Sequence, residues 1–227
     1  ARALIEVAGV PIAAPSANTS GRPSPTKASH VFEDMNSKIE MIIDGGEVGI
    51  GVESTIVDLT ENTPTLLRPG AITLEMLRDV CGNVNIDPAI EHLLLTGEAP
   101  KAPGMKYKHY APKADMKMLR GSESAVSDYL RSQIMESDID TAILTVDEHK
   151  SVLLQLINEN KKDNIKLLSL GSIKDMSSIA HNLFDVLRKC DDLGVKNIIS
   201  ESFDESGIGR AVMNRLKKAA GFNIIDL

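Results

Sequence analysis

The chain has 227 residues, 42% hydrophobic and 25% charged, a composition that folds into one large or two ordinary domains. A net charge of −7 and an aromatic content of 3%, with no Trp, exclude a general nucleic-acid coat and offer few stacking platforms for single strands. No apolar run approaches membrane-spanning length, so no membrane partner is expected. Ala1 to Ala8 reads as a helix rather than a secretory leader. Cys81 and Cys190 are isolated, which suits a reducing cytoplasm, and the five histidines show no ligand spacing, so no metal site is expected.

Pro11 to Ala14 is short, apolar and bounded by prolines, and predicts a buried strand. The loop that follows, PSANTSGRPSPT, carries Ser16, Asn18, Thr19, Ser20, Ser24 and Thr26 on a backbone shaped by Gly21, Pro23 and Pro25. Between Glu6 and Glu33 there is no carboxylate, although the chain holds 32 acidic residues, and Arg22 and Lys27 add positive charge. Hydroxyls and an arginine without a competing anion suit a phosphate or carboxylate ligand; a surface turn cluster has the same composition.

Thr26 is a fair N-cap for a helix through Ala28, Val31, Phe32 and Met35, and Ile39 to Ile43 predicts a strand. Gly45, Gly46, Gly49 and Gly51 lead into the strand of Glu53 to Leu59; strand rather than helix follows, so this is no dinucleotide fingerprint. Ser54 enters that strand where the backbone can approach a ligand closely. Arg68 ends the strand from Thr63 beside Pro69-Gly70, placed to fork onto a phosphate or to pair at the surface. Thr73 caps a helix that stops at Gly82. Residues 97–114 read as a linker, rich in Pro and Lys, with Tyr107 and Tyr110 suited either to clamping a ligand or to fastening the linker. From Asp115 strands and helices alternate: 116–119, 124–135, 141–146, 152–160, 165–170, 175–190, 197–200 and 209–220. That order implies a parallel sheet covered on both faces. Gly207 to Arg210 opens the last helix as an anion seat or a tight turn.

PSANTSGRPSPT, DGG, VESTIVDL and LLRPGAIT, in that order, resemble the YrdC-type domain of the L-threonylcarbamoyladenylate synthases, and PGMKYKHYAPKA resembles the linker of their two-domain members. The fold class this implies is α/β: the C-terminal part of a YrdC-like domain with a twisted mixed sheet, an extended linker, and a small doubly wound parallel, Rossmann-like domain. The boundaries follow as 1–96 for the catalytic domain, 97–114 for a linker over the active site and 115–227 for the C-terminal domain. The family's upstream basic segment has no counterpart here, so the N-terminal portion is expected to be lacking and residues 1–227 alone are expected to make little product.

The resemblance further implies an enzyme that joins L-threonine, bicarbonate and ATP, with Mg²⁺, into threonylcarbamoyl-AMP and pyrophosphate for tRNA modification. Ser16, Asn18, Ser24, Arg68 and Tyr107 match its ATP side, and Ala14 and Ser54 its threonine side. No covalent nucleophile or acid–base residue is required, because the attacking carbamate is already an anion. tRNA or the tRNA-modifying transferase complex is an implied partner. Two other readings stand beside this one: an RNA-binding module of the same type, and a carbamoyl-transfer maturation protein. The latter's zinc-binding cysteine clusters have no match in two lone cysteines.

Overall fold

The computed structural model describes residues 1–92, 101–102 and 110–227. Its first part holds helices α1 (Arg2–Ala8), α2 (Ala28–Met35) and α3 (Leu74–Cys81) and strands β1 (Ile56–Asp58), β2 (Thr65–Arg68) and β3 (Asn85–Ile86). β2 is central, antiparallel to β1 and parallel to β3. The alternation of Leu66 and its neighbours puts Leu66 against Leu74, Val84 and Ile90, and the Thr73 hydroxyl accepts from the Met76 amide at 3.3 Å, capping α3 as the sequence predicts.

Two predicted strands do not form. Pro11 to Ala14 and Ile39 to Ile43 are irregular and mostly exposed. A strand is held by a hydrogen-bonded neighbour, and none among the described residues pairs with either run. The cap of α2 also differs: Lys27 occupies the position without a side-chain bond, and the Thr26 amide instead donates to Nδ1 of His30 at 3.2 Å. α2 buries His30 and Asp34 and exposes Phe32, the reverse of an apolar stripe.

The second part is a five-stranded sheet of β4 (Asp115–Arg120), β5 (Thr141–Thr145), β6 (Ile165–Ser169), β7 (Asn197–Glu201) and β8 (Ile224–Asp226). The order is β6-β5-β7-β4-β8 and every pairing is parallel. Its helices are α4 (Glu123–Glu136), α5 (Asp147–Glu159), α6 (Met176–Leu193) and α7 (Gly209–Ala219). The two-residue period of the strands sorts the faces. Met116, Met118, Ala142, Leu144 and Ile198 pack with α6 and α7, while Leu119, Ile143 and Ile199 pack with α4 and α5. This is the doubly wound arrangement expected, with β8 as an unanticipated edge strand.

The two parts keep separate apolar clusters but are joined. Val52 and Tyr110 pack into the α6/α7 layer, and Tyr110 lies with its ring centroid 5.1 Å from that of Phe184. Gly51 meets the carbonyls of Ala180 and His181 in α6 so closely that any Cβ would collide with backbone. The glycine before the VES segment is therefore fixed by an approaching helix.

Candidate functional site

The sheet end at β1 and β2 brings together several of the residues singled out from sequence. Arg68, at the end of β2, donates through Nε to the carbonyl of Ser54 at 3.0 Å. Gly70 lies so near Glu53 and Thr55 that a Cβ would fall 2.7 Å from the Glu53 carbonyl, so the Pro-Gly turn is pressed onto the VES segment. The Ser24 hydroxyl donates to Oε1 of Glu53 at 2.6 Å, tying the hydroxyl-rich loop to the same point. Ser24, through Glu53, and Arg68, through the Ser54 carbonyl, thus meet at the VES segment.

Helix α7 completes this cluster. Arg215 is fully buried; its Nε donates to Oε2 of Glu53 at 3.0 Å, and its other nitrogens reach the carbonyls of Pro69 and Glu53. Lys218, also buried, is pulled down to about 8, first by loss of hydration and then by the neighbouring charges of Arg215 and Arg68. Burial, then the Glu53 charge, pushes the Tyr110 phenol up to about 12, so its proton stays in place. Burial favours a neutral Glu53, but Arg215 and the Ser24 hydroxyl outweigh it and hold the carboxyl below its usual range. Arg68, Arg215 and Lys218 outnumber the two carboxylates, Glu53 and Asp87, whose charges act on this cluster, and leave positive field beside Ser54, the sign that suits an anionic ligand.

The hydroxyl loop has a second anchor. Its local lack of carboxylates is made good in space: Arg22 pairs with Asp34 and, at 3.0 Å, with Glu33, while the Thr19 amide donates to Asp34 at 3.1 Å. Arg188 of α6, 1% exposed, donates to Asp34 at 2.7 Å and twice to the Pro23 carbonyl, at 3.1 and 2.7 Å. Burial raises the Asp34 carboxyl less than the Arg188 and Thr19 hydrogen bonds lower it, so it too titrates below the ordinary range. Lys27 is likewise engaged, 3.0 Å from Asp185. Neither Arg22 nor Lys27 therefore stands as the unopposed cation that their stretch of sequence suggests.

Asn18 braces its own loop, donating to the carbonyls of Thr19 and Arg22, each at 3.1 Å, while its Oδ1 is buried without a partner. Ala14 and Ser16 lie exposed on the approach to the loop. Tyr107 and most of the 97–114 linker lie outside the described residues. Glu53, Arg215, Lys218, Asp34 and Arg188 are the functional neighbours that sequence reasoning missed. α7 did carry one signal: Asn214, Arg215, Lys217 and Lys218 sit within an element otherwise patterned for burial, and all four are buried. Among the described residues no group of three His, Cys, Asp or Glu could hold a metal.

A family model described as "Threonylcarbamoyl-AMP synthase, C-terminal domain" matches residues 72–221, and one described as "Telomere recombination" matches residues 1–70. The chain is 45% identical over 224 residues to a Pyrococcus abyssi threonylcarbamoyl-AMP synthase, covering 99% of this chain and 62% of that protein. It is 42% identical over 225 residues to the Bacillus subtilis threonylcarbamoyl-AMP synthase, covering 99% of this chain and 61% of the relative. A crystal structure of P. abyssi Sua5 complexed with L-threonine superposes with a TM-score of 0.85 at 44% identity, over 99% of this chain and 62% of that one. The chain therefore spans somewhat under two thirds of the length of these relatives.

Proposed function

Because this chain belongs to the threonylcarbamoyl-AMP synthase family, we propose that it carries the ATP- and threonine-facing surface of an enzyme that makes threonylcarbamoyl-AMP. The reaction joins L-threonine, bicarbonate and ATP. The threonine amine takes up bicarbonate with loss of water, and a carbamate oxygen attacks the α-phosphorus of ATP. Pyrophosphate leaves, and the product is the activated donor for threonylcarbamoyladenosine in tRNA. The observation that carries this reading is the meeting of Ser24 and Arg68 at the Glu53-Ser54 segment, beside the buried cations Arg215 and Lys218.

Each residue then has a task. Arg68 and the field of Arg215 and Lys218 stabilise phosphate charge, chiefly the charge that grows on the departing pyrophosphate. Ser54 faces threonine, together with the backbone at Ala14. Ser16, Asn18 and Ser24 present the nucleotide side of the loop, with Asn18 holding its curvature. Since the Ser24 proton is committed to Glu53, Ser24 meets ATP through its oxygen or by exchanging that bond. Magnesium would come with the ATP phosphates, since Glu53 and Asp34 are already bound by arginines. Tyr107 and the linker, 97–114, cover the nucleotide between domains 1–96 and 115–227. Tyr110, seated beside Glu53 and Arg215, supports that placement by anchoring the linker's distal end. The setting is the cytoplasm, and no helix among the described residues is long and apolar enough to cross a membrane.

Calorimetry with ATP, with and without threonine, tests the reading on this chain and on a version extended upstream to the relatives' length. Threonine should tighten with ATP present, and bicarbonate-dependent pyrophosphate release should appear in the extended protein. Absence of ATP binding by both forms, with salt-sensitive RNA binding instead, would overturn it.

A further inference from the structure

The five-stranded sheet contains a cavity that none of the residues grouped around Glu53 lines and that the reaction above does not use. It has a volume of about 470 Å³ and opens at the carboxyl ends of the strands, between Gly121 after β4 and Glu201 of β7 with Ser202 beyond it. β5 and β7 are neighbours whose connections diverge, α5 toward β6 and α7 toward β8, and Glu148, His149 and Glu201 line the cavity at their ends. This is the switch point at which open parallel sheets hold their ligands, and the volume lies in the usual range for small molecules.

The lining specifies a chemistry. Leu130 and Leu153 floor an apolar wall with Val126, while Val152 and Ile173 are exposed at its edge. Opposite stand Glu123, Glu148, His149 and Glu201, and no Lys or Arg lines the cavity. Glu201 is mostly buried and held in place: it accepts from the Thr145 hydroxyl and lies 2.9 Å from Nδ1 of His149. Nε2 of His149 lies 3.8 Å from Glu123. Glu148 is fixed by the Ser172 hydroxyl at 2.5 Å and the Ile173 amide at 3.0 Å. The first turns of α4 and α5, where a nucleotide-binding sheet would hold phosphate, carry Glu123, Asp147 and Glu148. A phosphate would meet these carboxylates at both helix starts.

We propose that this crevice binds a small organic cation, a primary ammonium on an apolar body. The ammonium sits among Glu201, Glu148 and Glu123, and the body lies on Val126, Leu130 and Val152. This site is independent of the proposed reaction. The test uses 2-phenylethylammonium as probe, with 2-phenylethanol, phenylacetate and inorganic phosphate as neutral and anionic comparisons, followed by amide NMR of the whole chain. The ammonium should give saturable shifts at Gly121, Val152 and Ser202. The alcohol should bind about tenfold more weakly or worse, and the anions should leave those amides unmoved. Exposed Glu123→Gln should weaken the ammonium several-fold, Glu201→Gln more, and Val152→Trp should block the mouth while leaving the spectrum otherwise folded. No saturable shift with the ammonium, or equal binding by phenylacetate, overturns the proposal. So does binding that Val152→Trp leaves unchanged.

Discussion

Arg188→Met removes the cation that joins α6 to both Asp34 and the Pro23 carbonyl. The Asp34 side chain is fully buried and its bond from Arg188 is 2.7 Å long. Breaking a buried pair by deleting one partner costs about 3–5 kcal/mol, because the remaining charge stays out of water. Arg22 still faces Asp34 here, so the lower end applies, about 3 kcal/mol or roughly a hundredfold in the opening equilibrium. If the penalty comes from the stranded charge, Asp34→Asn in the same background should recover about 2 kcal/mol, since the amide keeps an acceptor for Thr19 without the charge. Native-state hydrogen exchange at the Thr19 amide, which donates to Asp34, reads this locally, and urea unfolding followed by circular dichroism reads it globally. A cost below about 0.5 kcal/mol for Arg188→Met, or no coupling in the double variant, would show that the contact is a surface-like pair of little weight.

Ser54→Ala should weaken threonine more than ATP and Arg68→Ala the reverse, each by about tenfold to a hundredfold, so equal losses by calorimetry would mean the two residues are misplaced. Lys218 is held down to about 8 in the folded chain, so the unfolded chain binds the extra proton above that pH and stability should rise from about pH 8 toward the ordinary lysine range. A phosphate arriving beside it should reverse the shift, so ATP binding near pH 8 should take up protons in calorimetry across buffers, and Lys218→Met should lose that uptake. Asp34 and Glu53 are displaced downward, so their contribution is intact above the usual carboxylate range and lost as pH falls below it; an acid melt insensitive to Asp34→Asn would contradict this. A fragment of residues 110–227 should melt several degrees above one of 115–227, because Tyr110 fills the core beside Phe184.

The C-terminal sheet was legible because four of its five strands are largely apolar runs of five or six residues that alternate with helical stretches, two of them opened by side-chain caps at Ser122 and Asp175 and one closed at Gly194. The runs at 11–14 and 39–43 were not, since apolar composition shows that a segment could be a strand but not whether a neighbour pairs with it. β8 escaped because three residues after a turn give too short a pattern. At the candidate site, Ser24, Ser54 and Arg68 were visible by type and position. Glu53 stood in plain view as the neighbour of Ser54, yet its weight comes from Arg215, which is 162 positions away. The acid-free loop misled for the same reason: charge balance is struck in space, and Asp34 reaches Arg22 across a turn and a helix.

Gly51 and Arg215 grip the VES segment from two directions, the one by contact with α6 and the other from α7. Whatever occupies Ser54 and Arg68 is therefore thermodynamically linked to the seating of both helices. A ligand that prefers the seated state strengthens it by the same free energy by which seating strengthens the ligand. Gly51→Ala, though it touches neither ligand nor any charged group, would then act as a wedge whose effect appears as lost affinity. Conversely, saturating ligand should raise the force needed to part the two halves of the chain. On this view the Rossmann-like domain acts on the proposed site through the seating of its helices as well as through the field of Arg215 and Lys218.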